Sequence, residues 1–167
     1  MYSGGMKRAV WLALSVVVLL ASARQAAAQE VIYIVRHAER ANQSADSELS
    51  TEGVGRSYKL RDLLRSAGVT RIFTSPLRRT IDTAAPLAAA LHVTSRPMPT
   101  DDALLEAIAG SGPRDRVLVV GHSNTVPALL RALHVAETIS VPDDEYDNLF
   151  IVFPQKEGRP VLLRLKY

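Results

Sequence analysis

Val31-Ile32-Tyr33-Ile34-Val35-Arg36-His37-Ala38-Glu39-Arg40 is the stretch on which the fold turns. Its leading apolar residues, rich in β-branched types, read as a buried strand and are too few for a helix. The run stops at Arg36-His37, which places a cation and an imidazole where the strand ends. In α/β folds, ligands bind just outside the carboxyl ends of the strands. A lone Arg-His pair there would be an ordinary charged terminus, but the pattern recurs. Arg116-Val117-Leu118-Val119-Val120-Gly121-His122 is a second apolar strand ending on a histidine. Two strands that deliver histidines to their carboxyl ends form a candidate active site.

Upstream of the first strand, residues 1–28 read as a secretory signal. Lys7-Arg8 precedes an apolar stretch from Ala9 to Ala23, and Ala26-Ala27-Ala28 is a small-residue cleavage site. The apolar stretch is short for a bilayer span, so cleavage before Gln29 is expected, with no stable membrane anchor afterwards. The expected protein is therefore exported, periplasmic or secreted, with residues 29–167 as its single domain. The segment carries Lys7, Arg8 and Arg24 and no acid. Its removal lowers 20 basic residues to 17, against 17 acidic ones, and leaves a formally neutral chain. A nucleic-acid partner is thus not supported. There is no cysteine, so stability must come from the core alone.

Downstream, Ala41–Ser50 is polar and aperiodic, a loop close to His37. Ser50 or Thr51 caps a helix whose apolar positions Leu60, Leu63, Leu64 and Ala67 keep helical spacing, with Gly68 as its stop. Arg71–Thr74 reads as a short strand. Ser75-Pro76 then reads as N-cap and first residue of a helix, with Leu77, Ile81, Ala84, Ala88 and Leu91 as the buried stripe. Arg78 and Arg79 in its first turn oppose the helix dipole, a conflict that a bound anion would resolve. His92–Arg96 reads as a short strand and Asp101–Ala109 as a short helix. The helix after His122 takes Ser123 or Asn124 as its cap and turns Val126, Leu129, Leu130 and Leu133 inward. Pro142–Asp147 reads as a solvated acidic loop, and Leu149–Phe153 with Val161–Leu165 as a closing hairpin.

Alternating strands and helices predict a three-layer α/β sandwich with a mainly parallel central sheet. Three strand-to-helix junctions, at residues 35–39, 74–79 and 121–125, can then converge on one crevice. Their guanidinium forks and helix starts suit a phosphoryl group, and an imidazole among them stays unprotonated and nucleophilic.

Val31–Arg40, Leu49–Gly53, Ser75–Thr83 and Val117–Thr125 together resemble the histidine phosphatase superfamily, the phosphoglycerate mutase-like fold. Arg36-His37 matches its Arg-His-Gly signature with Ala38 at the glycine position. Ser75-x-Leu77-x-Arg79 matches its second motif, which selects Arg79 over Arg78, and Gly121-His122 matches its third. The resemblance implies that His37 attacks phosphorus and becomes phosphohistidine, which water hydrolyses. Arg36, Arg79 and His122 would hold the non-bridging oxygens, and Ser123 and Asn124 would join them in binding substrate. It implies no cofactor and no metal. A His37, Glu39 and His122 metal site would be opposed by the arginines. Glu106, in Leu104-Leu105-Glu106, is the expected proton donor, with Asp82, Asp101, Asp102 or water as alternatives. Only 42 residues separate Arg79 from His122 (122 − 79 − 1), too few for a large cap insertion. The expected activity is therefore phosphomonoester hydrolysis on an exported substrate, with envelope-derived phosphates among the candidates. A phosphoryl-transferring mutase and a non-catalytic phosphate-binding module are the alternatives.

Overall fold

The computed structural model describes residues 30–167; the signal segment expected over residues 1–28 lies outside the described residues. Six strands form one sheet. They are β1 (Val31–Arg36), β2 (Arg71–Thr74), β3 (Ser95–Pro97), β4 (Arg116–Gly121), β5 (Asn148–Phe153) and β6 (Val161–Lys166). Their spatial order is β3-β2-β4-β1-β5-β6. The first four in that row run parallel, while β5 is antiparallel to β1 and closes with β6 as the expected hairpin. Four helices complete the sandwich: α1 (Thr51–Leu64), α2 (Arg78–Leu91), α3 (Asp101–Ala109) and α4 (Thr125–Ala132).

β1 lies inside the sheet and is buried on both faces, as its unbroken apolar run requires. Val31, Tyr33 and Val35 pack with Leu60 and Leu64 of α1 and Ala84 and Leu87 of α2. Ile32 and Ile34 face the opposite layer, with Ile108 of α3 and Val126, Leu129 and Leu130 of α4. Two-residue alternation thus lets one strand serve both cores.

The register decides what meets above the sheet. Arg36 pairs with Gly121 and Thr74 with Val120, so β1 and β4 end level and β2 ends one residue short of them. His37, His122 and Ser75, each the next residue on, emerge side by side. The amide of His37 donates to the Gly121 carbonyl at 2.9 Å and locks the first two together.

Several local expectations are corrected. Ser50 does cap α1, accepting from the Gly53 amide, but Leu63 lies on the exposed side of that helix. Helix α2 starts at Arg78 rather than Pro76, and Leu77 occupies its cap position without a side-chain hydrogen bond. The fully buried positions of α2 are Thr80, Thr83, Ala84 and Leu87; the expected Leu77, Ile81, Ala88 and Leu91 are only partly covered. The stripe is rotated because two threonines face inward, where their hydroxyls are bonded. Strand β3 runs over Ser95–Pro97, later than expected, and its edge position tolerates proline.

Candidate active site

Above the ends of β1, β2 and β4 lies a cavity of about 330 Å³. Arg36 and His37 line it from β1, Arg79 from α2, and His122, Ser123 and Asn124 from the β4–α4 junction. Six of the seven expected site residues are therefore brought together. Glu106 is not; it is exposed on α3 and does not line the cavity. Asp101 and Asp102 lie in the exposed first turn of α3, and Asp82 borders a separate depression beside Glu48 and Tyr58. Sequence reasoning did not single out Arg40, Thr125 and Asp143, which also line the cavity.

His37 is 3% exposed. Its Nδ1 lies 2.7 Å from the carbonyl oxygen of Ala38. A carbonyl can only accept, so Nδ1 carries the proton and Nε2 keeps the lone pair. The Ala38 amide is held in turn by Thr83 Oγ1 at 2.9 Å, which ties the loop to α2. Residue 38 does not adopt a positive φ, so alanine fits where relatives commonly carry glycine.

Both expected phosphate-binding arginines are oriented by main-chain carbonyls. Arg36 Nη1 donates to Pro142 O at 2.8 Å and Glu145 O at 3.2 Å, and the Tyr146 ring stacks 4.1 Å from its guanidinium carbon. Arg79 Nη1 donates to Ala45 O at 2.7 Å. Carbonyls fix a guanidinium without cancelling its charge, which stays available for an anion. The nearest carboxylate is Asp143, 3.7 Å from Arg36 Nη2 and hydrogen-bonded to Ser123 Oγ at 2.8 Å. The acidic loop 142–147 is thus docked on the site rather than merely solvated.

Arg78 behaves differently. Its guanidinium pairs with Glu48, and its amide donates to Asp46 Oδ1 at 2.7 Å. Carboxylates from loop 41–50 thus meet the start of α2 and offset Arg78, while Arg79 is left facing the cavity. Glu39 also turns elsewhere: it receives Arg56 Nε at 2.7 Å and does not line the cavity. Among the described residues no cluster of His, Cys, Asp and Glu could hold a metal ion.

Both histidines are neutral near pH 7. The His37 pKa is lowered to about 3, mainly by burial, with His122, Arg36 and Arg79 adding to the effect. That of His122 is lowered to about 4, again mainly by burial and then by Arg79, Arg36 and Arg40. Burial outranks the arginine crowding anticipated from sequence. The ring centroids are 5.3 Å apart. Three buried polar atoms without a hydrogen-bond partner sit on cavity-lining side chains: Arg36 Nε, Arg79 Nε and His122 Nδ1. Buried polar groups left unpaired at one site mark a place where a polar ligand completes the bonding.

Comparison with known proteins follows the same outline. The model for the histidine phosphatase superfamily (branch 1) matches residues 32–110, a span that includes Arg36, His37 and Arg79 and ends before His122. No curated protein matches the chain. Among solved structures, one assigned as the phosphohistidine phosphatase SixA of Agrobacterium tumefaciens is 22% identical. It covers 83% of this chain and 98% of its own, with a TM-score of 0.64. A protein histidine phosphatase SixA complexed with tungstate is 20% identical, with 81% and 96% coverage and a TM-score of 0.66. Mycobacterial glucosyl-3-phosphoglycerate phosphatase with inorganic phosphate is 16% identical, with 83% and 97% coverage and a TM-score of 0.65. At these identities the structural likeness speaks for the fold.

Proposed function

Because this chain belongs to the histidine phosphatase superfamily, we propose that it hydrolyses phosphomonoesters through a phosphohistidine formed on His37. The observation that carries the reading is the state of His37: its proton is committed to the Ala38 carbonyl, and its ring is uncharged among three cavity-lining arginines. Nε2 attacks phosphorus and the bond to the leaving oxygen breaks. Arg36, Arg79 and His122 hold the non-bridging oxygens as negative charge shifts during transfer. The leaving oxygen takes a proton from Asp143 or from water, and the attacking water of the second step returns one to the same group. Water then attacks phosphorus, the phosphorus–nitrogen bond breaks, and His37 returns with its lone pair.

Hydrolysis is favoured over return of the phosphoryl group to a retained acceptor. The chain between Arg79 and His122 is taken up by the rest of α2, β3, α3, β4 and their short connections. No helical insertion is left in that segment to hold a product in place. A module that only binds phosphate would not require an unprotonated histidine beside the arginines. The substrate class we infer is a phosphomonoester outside the cytoplasm, with envelope-derived compounds first in a screening panel, because residues 1–28 read as an export signal. N-terminal sequencing of fractionated protein tests that part: a start at or near Gln29 in a soluble fraction is expected, and an intact terminus on membranes contradicts it.

The chemical test is acid quenching during turnover of an aryl phosphate, followed by mass spectrometry of the peptide containing Arg36-His37. A phosphoryl group on His37 is expected. One trapped elsewhere, or undiminished turnover in His37→Ala, overturns the proposal.

A further inference from the structure

The polar contacts behind His122 form a chain whose proton directions can be worked out. Thr80, fully buried in the first turn of α2, places Oγ1 2.8 Å from the Leu77 carbonyl and 2.9 Å from the Ser75 carbonyl. Carbonyls only accept, so the single hydroxyl proton of Thr80 is committed to them. Ser75 Oγ lies 2.9 Å from Thr80 Oγ1, and two oxygens at that distance need a proton between them. That proton must come from Ser75. With its own proton spent, Ser75 Oγ can only accept, from the Leu77 amide at 3.3 Å and from His122 Nε2 at 2.9 Å. His122 therefore carries its proton on Nε2. Its Nδ1, buried and without a partner, is left as a bare lone pair.

We propose that Ser75 and Thr80 are positioning residues that hold His122 in the Nε2–H tautomer, leaving Nδ1 as the nitrogen that meets the substrate phosphoryl group. The role assigned to Nδ1 rests on the phosphatase reading; the tautomer does not. A lone pair facing a phosphate oxygen is repulsive unless a proton lies between them. Binding of a phosphate dianion must then bring a proton, carried either on the imidazole or on the phosphate. The charged and titratable groups around His122 are Arg36, His37 and Arg40 from the end of β1, Arg79 from α2, and Asp143 from the loop before β5. Burial first, and then Arg79, Arg36 and Arg40, hold the resting ring neutral, with its pKa lowered to about 4. An arriving dianion reverses that balance. The second histidine thereby becomes a donor only when substrate is present.

Nitrogen-15 NMR of the histidine rings in the mature protein without phosphate, at pH 7, tests the tautomer without reference to turnover. A protonated Nε2 and unprotonated Nδ1 on His122 are expected. Thr80→Val keeps the shape but removes the acceptor of the Ser75 proton, so Ser75 donates to Nε2 and the ring switches to Nδ1–H; Thr80→Ser restores the wild-type pattern. In Ser75→Ala both tautomers are populated. Calorimetry with inorganic phosphate at pH 8 in buffers of different ionisation enthalpy should show uptake of about one proton in wild type and markedly less in Thr80→Val. An Nδ1–H tautomer in the wild type overturns the proposal. So does a wild-type pattern surviving in Thr80→Val or Ser75→Ala, or proton uptake identical in wild type and Thr80→Val. If the tautomers behave as expected and no phosphohistidine forms, the tautomer lock stands and the hydrolase reading fails.

Discussion

At the scale of single residues, the cavity separates charge that is held from charge that is spent. Arg56 and Arg116 lie against carboxylates, whereas Arg79 is held by a carbonyl and keeps its full charge for a ligand. Replacing Arg79 with lysine substitutes a point charge for a planar fork, and kcat for an aryl phosphate should fall by about 100-fold or more. Phosphate binding in His37→Ala should persist while turnover disappears, since the arginines remain. Among the described residues, Asp143 is the one carboxylate that lines the cavity, held by Ser123, while Glu106 stands outside on α3. Asp143→Asn should slow alkyl phosphates about 100-fold and aryl phosphates much less; Glu106→Gln should slow neither. Equal losses for both substrate types in Asp143→Asn would leave protonation to water.

At the scale of elements, two glycines set how closely helices approach the catalytic strand ends. A Cβ on Gly53 would run into the backbone carbonyl of Glu39. At Gly121 it would meet Thr125 Oγ1 at 2.9 Å and Val126 Cγ2 at 3.3 Å. Thr125 Oγ1 is the same atom that accepts from the His122 amide, so crowding there displaces the histidine. Gly53→Ala, pressed against backbone, should cost about 1–3 kcal/mol in urea unfolding. Gly121→Ala should lose activity out of proportion to its stability, because a neighbouring hydroxyl can shift but takes His122 with it. Equal thermal midpoints and equal rates for Gly121→Ala and wild type would show that the junction has slack.

At the scale of the molecule, burying two neutral histidines at the carboxyl ends of β1 and β4 makes stability depend on pH. In the unfolded chain each titrates near a pKa of about 6.5. In the folded protein the values are about 3 for His37 and about 4 for His122. Below about pH 6.5 the unfolded chain binds protons that the native histidines refuse, so their contribution is whole above that pH. It is lost progressively on acidification towards the folded values. Thermal midpoints of wild type should therefore fall between pH 6.5 and 4, and the fall should be shallower in His37→Asn/His122→Asn. Identical slopes would mean that carboxylates alone govern acid lability. For the same reason, the nucleophile should stay unprotonated, and turnover of an aryl phosphate should not collapse between pH 7 and 5.

Much of this arrangement was legible in the chain because its causes are local. Apolar runs that stop at Arg36-His37 and Gly121-His122, a helix start after β2, and helical spacing around Leu60 and Leu129 pointed to the α/β sandwich and to six residues that line one cavity. Strand periodicity and the topology of parallel sheets carry that information in short windows. What remained hidden depends on long-range register and docking. No short window can show that Pro142 and Glu145 reach back to Arg36, that Asp46 caps α2, or that Glu106 faces away from the cavity. The tautomer of His122 is hidden for the same reason. It follows from the pairing of β2 with β4, which brings Ser75 beside His122, and a hydrogen-bond direction is settled only when all its partners are in place.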